Sequence, residues 1–315
     1  MTHVFITGIA GMIGYHTAIK LKEKGYSVEG IDNFNDYYDV ELKNARSKLL
    51  SDKQIAVRNI DICSPGEYYE HIQAADVVLH LAAYANPRHA MDEPQLYIDT
   101  NITGTQKLVD ICEGLNTPVV YASSSCVMHG QTLPWTEHDN PGHQNNPYGW
   151  SKRVNESQFI YSKIARTIGL RFFTVYGPYG RPDMALFKFT DAIVNGTPLT
   201  LYNYGDMKRD FTYVDDIVQG IELVIKQILE SNEPLDEIYN IGYGEQVQLM
   251  DFVEEIEKNL GRKGTYDKVP PHPADMPATW SDTSKLQKLG YKPTTPISEG
   301  VEKFVTWYKE YYNVN

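Results

Sequence analysis

Cysteine is scarce in this chain, three residues in 315, and Cys63, Cys112 and Cys126 lack the spacing of metal ligands. An odd, unclustered set of thiols speaks against a disulfide scaffold or a cysteine-built zinc site and suits a reducing compartment. Basic side chains are also in deficit: 29 Lys and Arg against 41 Asp and Glu leave a formal charge of −12. That balance argues against nucleic-acid or membrane-surface partners, so any anionic ligand must be held by locally placed cations. No apolar run reaches the ~20 residues of a membrane span. Met1 to Thr7 passes directly into a strand pattern without the charged and apolar regions of a leader. The expectation is a cytoplasmic protein. Internal repeats and low-complexity tracts are missing as well, while 42% hydrophobic residues suffice for one large core or two smaller ones.

What is present follows a strand, turn, helix rhythm. His3-Val-Phe-Ile-Thr7 is a short apolar strand, Gly8-Ile-Ala-Gly11-Met-Ile-Gly14 a glycine turn, and Tyr15 to Lys24 a helix. Such a turn admits a pyrophosphate close to the backbone, at the positive end of the helix. Its spacing is G-x-x-G-x-x-G, so the flanking elements carry the assignment. Ser27 to Ile31 forms a second strand ending in Asp32, where a carboxylate meets adenosine ribose hydroxyls and repels a 2′-phosphate. That favours NAD over NADP, although Lys43 and Arg46 downstream leave the alternative open. Ile55 to Arg58 is a third strand, followed by Asp61-Ile62 at an adenine-contact position and by Ser64-Pro65 opening a helix. Asp76 to Ala83 is nearly continuously apolar, as a strand covered on both faces must be. A helix from Gln95 to Glu113 leads to a fifth strand, Pro118 to Ser123. The expected fold is α/β: a Rossmann-type doubly wound parallel sheet with a smaller C-terminal α/β lobe.

The chemistry concentrates at the end of the fifth strand and just beyond it. Ser124 and Ser125 follow the strand at the carboxyl edge of the sheet, where ligands of such folds bind. Tyr148-Gly-Trp-Ser-Lys152 then sets a phenol and an ammonium one helical turn apart. A lysine cation draws down a tyrosine pKa of ~10 and turns the phenol into a usable base. A strand-end hydroxyl beside it orients a substrate alcohol for proton transfer.

The glycine turn, the Ser-Ser-Ser strand end and Y-x-x-x-K together resemble the extended short-chain dehydrogenase/reductase family, and within it the nucleotide-sugar epimerases. Asn35-Asp-Tyr-Tyr-Asp-Val40, Leu170 to Pro178, Gly180 to Thr190, Arg209 to Ile217, Tyr239-Asn-Ile-Gly242 and Ser281 to Lys285 are similar to the UDP-glucuronate 4-epimerases over nearly the whole chain. The resemblance implies NAD-dependent 4-epimerisation of a UDP-uronic acid through a 4-keto sugar by a homodimer. Tyr148 is then the acid/base, Lys152 its electrostatic support and Ser124 the hydroxyl donor. Counting back from Gly130 favours Ser125 for that last role, because Met128-His129-Gly130 departs from the family's Val-Tyr-Gly. The resemblance further implies NAD contacts at Gly8, Gly11, Met12, Ile13, Gly14, Asp32, Asn33, Asp61, Ile62, Leu81, Ala82, Ala83, Asn101, Tyr148, Lys152 and Tyr176. For the nucleotide sugar it implies Arg88, Ser125, Cys126, Met184 and His272, with Thr174 and Arg181 by the sugar carboxylate and Arg209 by the diphosphate. His272 stands where the family has Gln or Arg.

Residues 1–183 are expected to form the NAD-binding domain, with 212–243 returning to it. Residues 184–211 and 244–315 should form the substrate domain. The helix from Ile297 to Tyr312 should turn Val301, Phe304, Val305 and Tyr308 to the core. Three other readings stay open: a UDP-glucuronate decarboxylase, a 4-epimerase of another UDP-hexose, and an NAD-binding scaffold or sensor. Related decarboxylases carry a glutamate where this chain has Cys126, and a thiol supplies no carboxylate.

Overall fold

A computed structural model describes residues 1–314. Its centre is a seven-stranded parallel sheet. The strands are β1 (His3–Thr7), β2 (Ser27–Asp32), β3 (Ala56–Asn59), β4 (Val77–His80), β5 (Val119–Ser124), β6 (Arg166–Phe172) and β7 (Leu235–Ile241). Across the sheet they run β7, β6, β5, β4, β1, β2, β3. The order reverses at β1, whose last residue, Thr7, pairs with Ile31 of β2 on one side and His80 of β4 on the other. A crevice opens beyond the strand ends at such a reversal. The four residues of β4 are all buried because both faces of the sheet are covered.

Two helices line that crevice, and a third packs against one of them. Helix α1 (Met12–Glu23) starts from Gly11 with no side-chain cap and no acidic residue in its first turn, which leaves its first amides open to a ligand. Helix α2 (Thr105–Leu115) ends at Asn116 in a left-handed cap. Helix α3 (Pro147–Ile160) begins with Pro147 in its first turn, and the Asn146 side chain accepts from Gly149 N at 2.8 Å. One hydrophobic cluster runs from Val4 and Ile6 through Phe187 and Phe252 to Phe304, so the main sheet and the later segments share a core. In the last helix, Ile297–Tyr312, Val301, Phe304, Val305 and Tyr308 are buried as expected.

Three stretches depart from the sequence reading. The stretch expected as a helix from Gln95 to Glu113 is three pieces: Pro94–Leu96, a wider π-helical segment Tyr97–Gly104, and α2. The alternation of Lys208-Arg-Asp-Phe-Thr-Tyr-Val214 reads as one strand, but the strand breaks at Asp210. There the buried carboxylate collects the amides of Tyr243, Gly244 and Ser281 and the Ser281 hydroxyl. Lys208–Arg209 therefore pairs with Val247–Gln248, and Phe211–Tyr213 with Thr174–Tyr176. Ser64 precedes its helix without capping it; Asp61 Oδ1 takes the nearby Cys63 amide instead.

Candidate active site

A cleft of about 700 Å³ lies beyond the strand ends. One wall is the glycine turn. Gly8 has φ +72°, and a Cβ there would stand 2.9 Å from Ala82 N. A Cβ on Gly14 would clash with the Gly8 carbonyl. The turn thus has room for a close backbone approach only as glycine. With the uncapped start of α1 it forms a cradle for a pyrophosphate.

Of the sequence-derived cofactor set, Gly8, Gly11, Met12, Ile13, Gly14, Asp32, Asn33, Ile62, Leu81, Ala82, Ala83, Tyr148 and Lys152 line this cleft. Three do not. Asp61 stands behind Asn33 and accepts from its Nδ2 at 2.8 Å. Asn101 is fully buried, bonded to both backbone groups of Tyr84 and to Ser151 Oγ, so it pins the strand-end loop to α3. Tyr176 packs among Phe211, Tyr213 and Phe252 beneath the cleft.

Tyr148, Lys152 and Ser124 do converge. Lys152 is buried and its Nζ donates to Ala122 O at 2.9 Å. The Ser124 hydroxyl is close enough to the Tyr148 phenol to work towards lowering its pKa, and Ser125 lines the same cleft. The tyrosine pKa, however, is raised rather than lowered. Burial is the main cause, then the Cys126 thiol, against the opposing Ser124 hydroxyl and Arg181 cation. Burial also draws Lys152 down to about 8, and its ammonium is committed to a carbonyl. The expected depression by Lys152 therefore does not carry the day here: desolvation outweighs a cation in this enclosed geometry.

The arginines divide by partner. Arg181 forks onto Asp183, at 2.9 and 2.5 Å, and Asp183 also accepts from Tyr37 and Asn86. Its charge is thus matched within the protein while it lines the cleft beside Thr174. Arg88 forks onto Asp275, at 3.1 and 2.6 Å, with its guanidinium 3.7 Å above the Tyr202 ring. Among the described residues, Arg209 bonds only to the carbonyls of Lys208 and Pro277. It is the cleft arginine with no carboxylate ion pair among the described residues. Arg88, Ser125, Cys126, Thr174, Arg181, Met184 and Arg209 all line the cleft. His272 does not; its Nδ1 accepts from Ala274 N, and its ring meets Tyr202 edge-on. Sequence reasoning missed Asp183 and Asp275. The first was within sight of Arg181, but nothing local links Arg88 to a carboxylate 187 positions away.

Below the site, fully buried His80 bridges Thr7 Oγ1 (2.8 Å) and Thr105 Oγ1 (2.9 Å). Its pKa is pushed down to about 3 by burial and by the Lys152 cation. The unfolded chain therefore binds this proton more readily, and folding stability falls as pH drops from about 6.5 toward 3. Acidification from pH 7 to 5 is expected to cost about 2 kcal/mol from this residue alone. Urea titrations at the two pH values check it; in His80→Gln that component should vanish.

Comparisons with known proteins agree with this geometry. The profile of the NAD dependent epimerase/dehydratase family matches residues 4–242. The Staphylococcus aureus protein CapI is 40% identical over 98% of this chain and 99% of its own. UDP-glucuronate 4-epimerase 1 of Arabidopsis thaliana is 38% identical, covering 99% of this chain and 78% of that protein. The Bacillus cereus UDP-glucuronic acid 4-epimerase, solved with UDP-glucuronic acid and NAD, superposes with a TM-score of 0.91. It is 31% identical and covers 99% of this chain and 100% of that one.

Proposed function

Because the chain belongs to the NAD-dependent epimerase/dehydratase family, we propose that it interconverts UDP-glucuronate and UDP-galacturonate through a 4-keto sugar. The observation that carries this reading is the convergence of Tyr148, Ser124 and Lys152 with the glycine turn in one cleft. Gly8, Gly11 and Gly14 with the amides of Met12 and Ile13 would hold the NAD pyrophosphate. Asp32 would hold the adenosine ribose, Asn33 and Ile62 the adenine, and Lys152 the second ribose. Leu81, Ala82 and Ala83 would back the cofactor at the strand ends. Bound NAD supplies a hydride acceptor and donor. Tyr148 takes the proton from the sugar 4-hydroxyl and returns it after the keto-sugar has turned, while Ser124 aligns the oxygen. We assign the sugar carboxylate to the hydroxyls of Thr174 and Ser125, since Arg181 already faces Asp183, and the diphosphate to Arg209.

The test is carbon NMR of the purified protein with UDP-glucuronate labelled at C6 and no added cofactor. Label retained at C6 of UDP-galacturonate is expected. UDP-xylose or a 4-keto pentose with labelled carbon dioxide would mean a decarboxylase, and no turnover with bound NAD a scaffold. Cys126 is consistent with the epimerase: its thiol is buried, with its pKa raised by burial, and supplies no carboxylate. Arg209→Ala should weaken UDP binding about 10- to 100-fold, the range for a lost charge-assisted contact. Isothermal titration with UDP measures it, and an unchanged affinity would move the diphosphate elsewhere.

We divide the chain functionally into a cofactor half, residues 1–183 and 212–243, and a substrate half, 184–211 and 244–315. The support is that both halves contribute cleft walls. A homodimer is proposed through α3 and the helical segment packed on it, where Trp150, Ile160, Met91 and Leu96 are exposed. A sedimentation mass twice that of one chain checks it. Free Cys63, Cys112 and Cys126 support a reducing, cytoplasmic setting.

A further inference from the structure

The sequence left two cations, Lys43 and Arg46, as possible partners of a 2′-phosphate beside Asp32. The structure separates them. Arg46 is fully buried, donating to Ala10 O and the Tyr38 hydroxyl from one guanidinium nitrogen and to Tyr179 O from the other. It has no path to a ligand. Lys43 lines the cleft together with Asp32, Asn33 and Asn35. Its Nζ donates to Asn35 O and Asn35 Oδ1, both at 3.0 Å, and stands 3.6 Å from Asp32 Oδ1. That last distance is within ion-pair range but beyond a good hydrogen bond. An ammonium has three N–H donors. Two go to Asn35, and the nitrogen otherwise faces the more distant Asp32 carboxylate and the Tyr38 ring, whose centroid is 5.2 Å away.

Asp32 is itself held in place. Its Oδ1 accepts from Phe34 N at 3.0 Å, and both Asp32 and Lys43 are buried. The pair therefore presents a nearly neutral ribose site, in which the carboxylate is the outward-acting group and the lysine its compensating charge. Removing the carboxylate charge leaves Lys43 fixed by Asn35 and uncompensated at the same place.

We propose that Lys43 is a latent cofactor-specificity residue: Asp32 alone excludes a 2′-phosphorylated dinucleotide, and without its charge Lys43 becomes the counter-ion of that phosphate. The proposal rests on the reading that Asp32 meets the adenosine ribose of NAD. No new cation has to be introduced for the site to take NADP. The geometry makes Asp32 the barrier and Lys43 the ready partner.

The experiment measures which dinucleotide the protein carries, with no recourse to turnover. Wild type, Asp32→Asn, Asp32→Ser and Asp32→Asn/Lys43→Met are purified and equilibrated with equal concentrations of NAD and NADP. The bound dinucleotide is then released by denaturation and identified by mass. Asn and Ser both keep an oxygen for the Phe34 amide, so loss of that turn is not at issue. Wild type is expected to release NAD. Both single variants should release NADP in a proportion at least about 30-fold higher than wild type. Adding Lys43→Met should lower that proportion about tenfold or more, as for one lost charge-assisted contact. Equal NADP occupancy with and without Lys43 overturns the proposal, as does retention of NAD alone by both single variants. A wild type that binds neither dinucleotide would instead refute the cofactor reading beneath it.

Discussion

Tyr148→Phe is expected to abolish epimerisation, with the turnover rate falling about 100- to 10,000-fold, the contribution of a positioned acid/base. The substitution removes one oxygen and keeps the ring, which packs edge-on to Tyr97 at 6.3 Å between centroids. Folding and NAD retention should therefore persist, and the loss should lie in turnover while the affinity for UDP stays near wild type. The raised tyrosine pKa sharpens the expectation. In this environment the phenol holds its proton, so deprotonation has to be favoured by charge brought into the site with the cofactor and by Lys152, whose own pKa is about 8. Single-turnover measurements on the variant provide the check. More than a tenth of the wild-type rate would remove Tyr148 from the role of base.

Glu156→Leu is expected to lower the unfolding free energy by about 3–5 kcal/mol, the cost of leaving a buried charge without its partner. Glu156 sits on α3 with no exposure, and its two oxygens accept from Arg171 Nε and Nη2 at 2.8 and 3.1 Å. Ser123 Oγ donates to it at 2.6 Å and Arg153 Nη1 at 3.0 Å. Arg171, on β6, is 2% exposed and has no other carboxylate ion pair among the described residues. Ser123 precedes Ser124 on β5 and lies in register with Arg171, so this network also sets the strand end that carries the site. Chemical denaturation reads the loss. In the double variant Glu156→Leu/Arg171→Met both charges are gone, and much of the stability should return, because the penalty comes from the orphaned ion rather than the missing attraction. A double variant as unstable as the single would show that packing, not charge, is what Glu156 supplies.

The sequence by itself determined the alternation of strands and helices, the glycine turn, the acidic end of β2 and the one-turn spacing of Tyr148 and Lys152. These are local properties: side-chain periodicity, backbone freedom and helix geometry act over a few residues. It also brought most of the named cofactor residues to one crevice, since parallel strands of a doubly wound sheet all end at the same edge. Only the tertiary structure decided the electrostatics. Whether Arg88, Arg181 or Arg209 is open to an anion depends on Asp275, on Asp183 and on Arg209 having no carboxylate ion pair among the described residues, and Arg88 and Asp275 lie far apart in the chain. The direction of the Tyr148 shift was likewise decided by burial, which packing sets and spacing does not reveal. Asn101, Asp61 and Tyr176 fall behind the cleft for the same reason: a position on the right element fixes the neighbourhood of a side chain, but the side it faces follows from what packs against it. The break at Asp210 has a comparable origin, because a strand pattern carries no record of four donors arriving from segments 33 to 71 residues away.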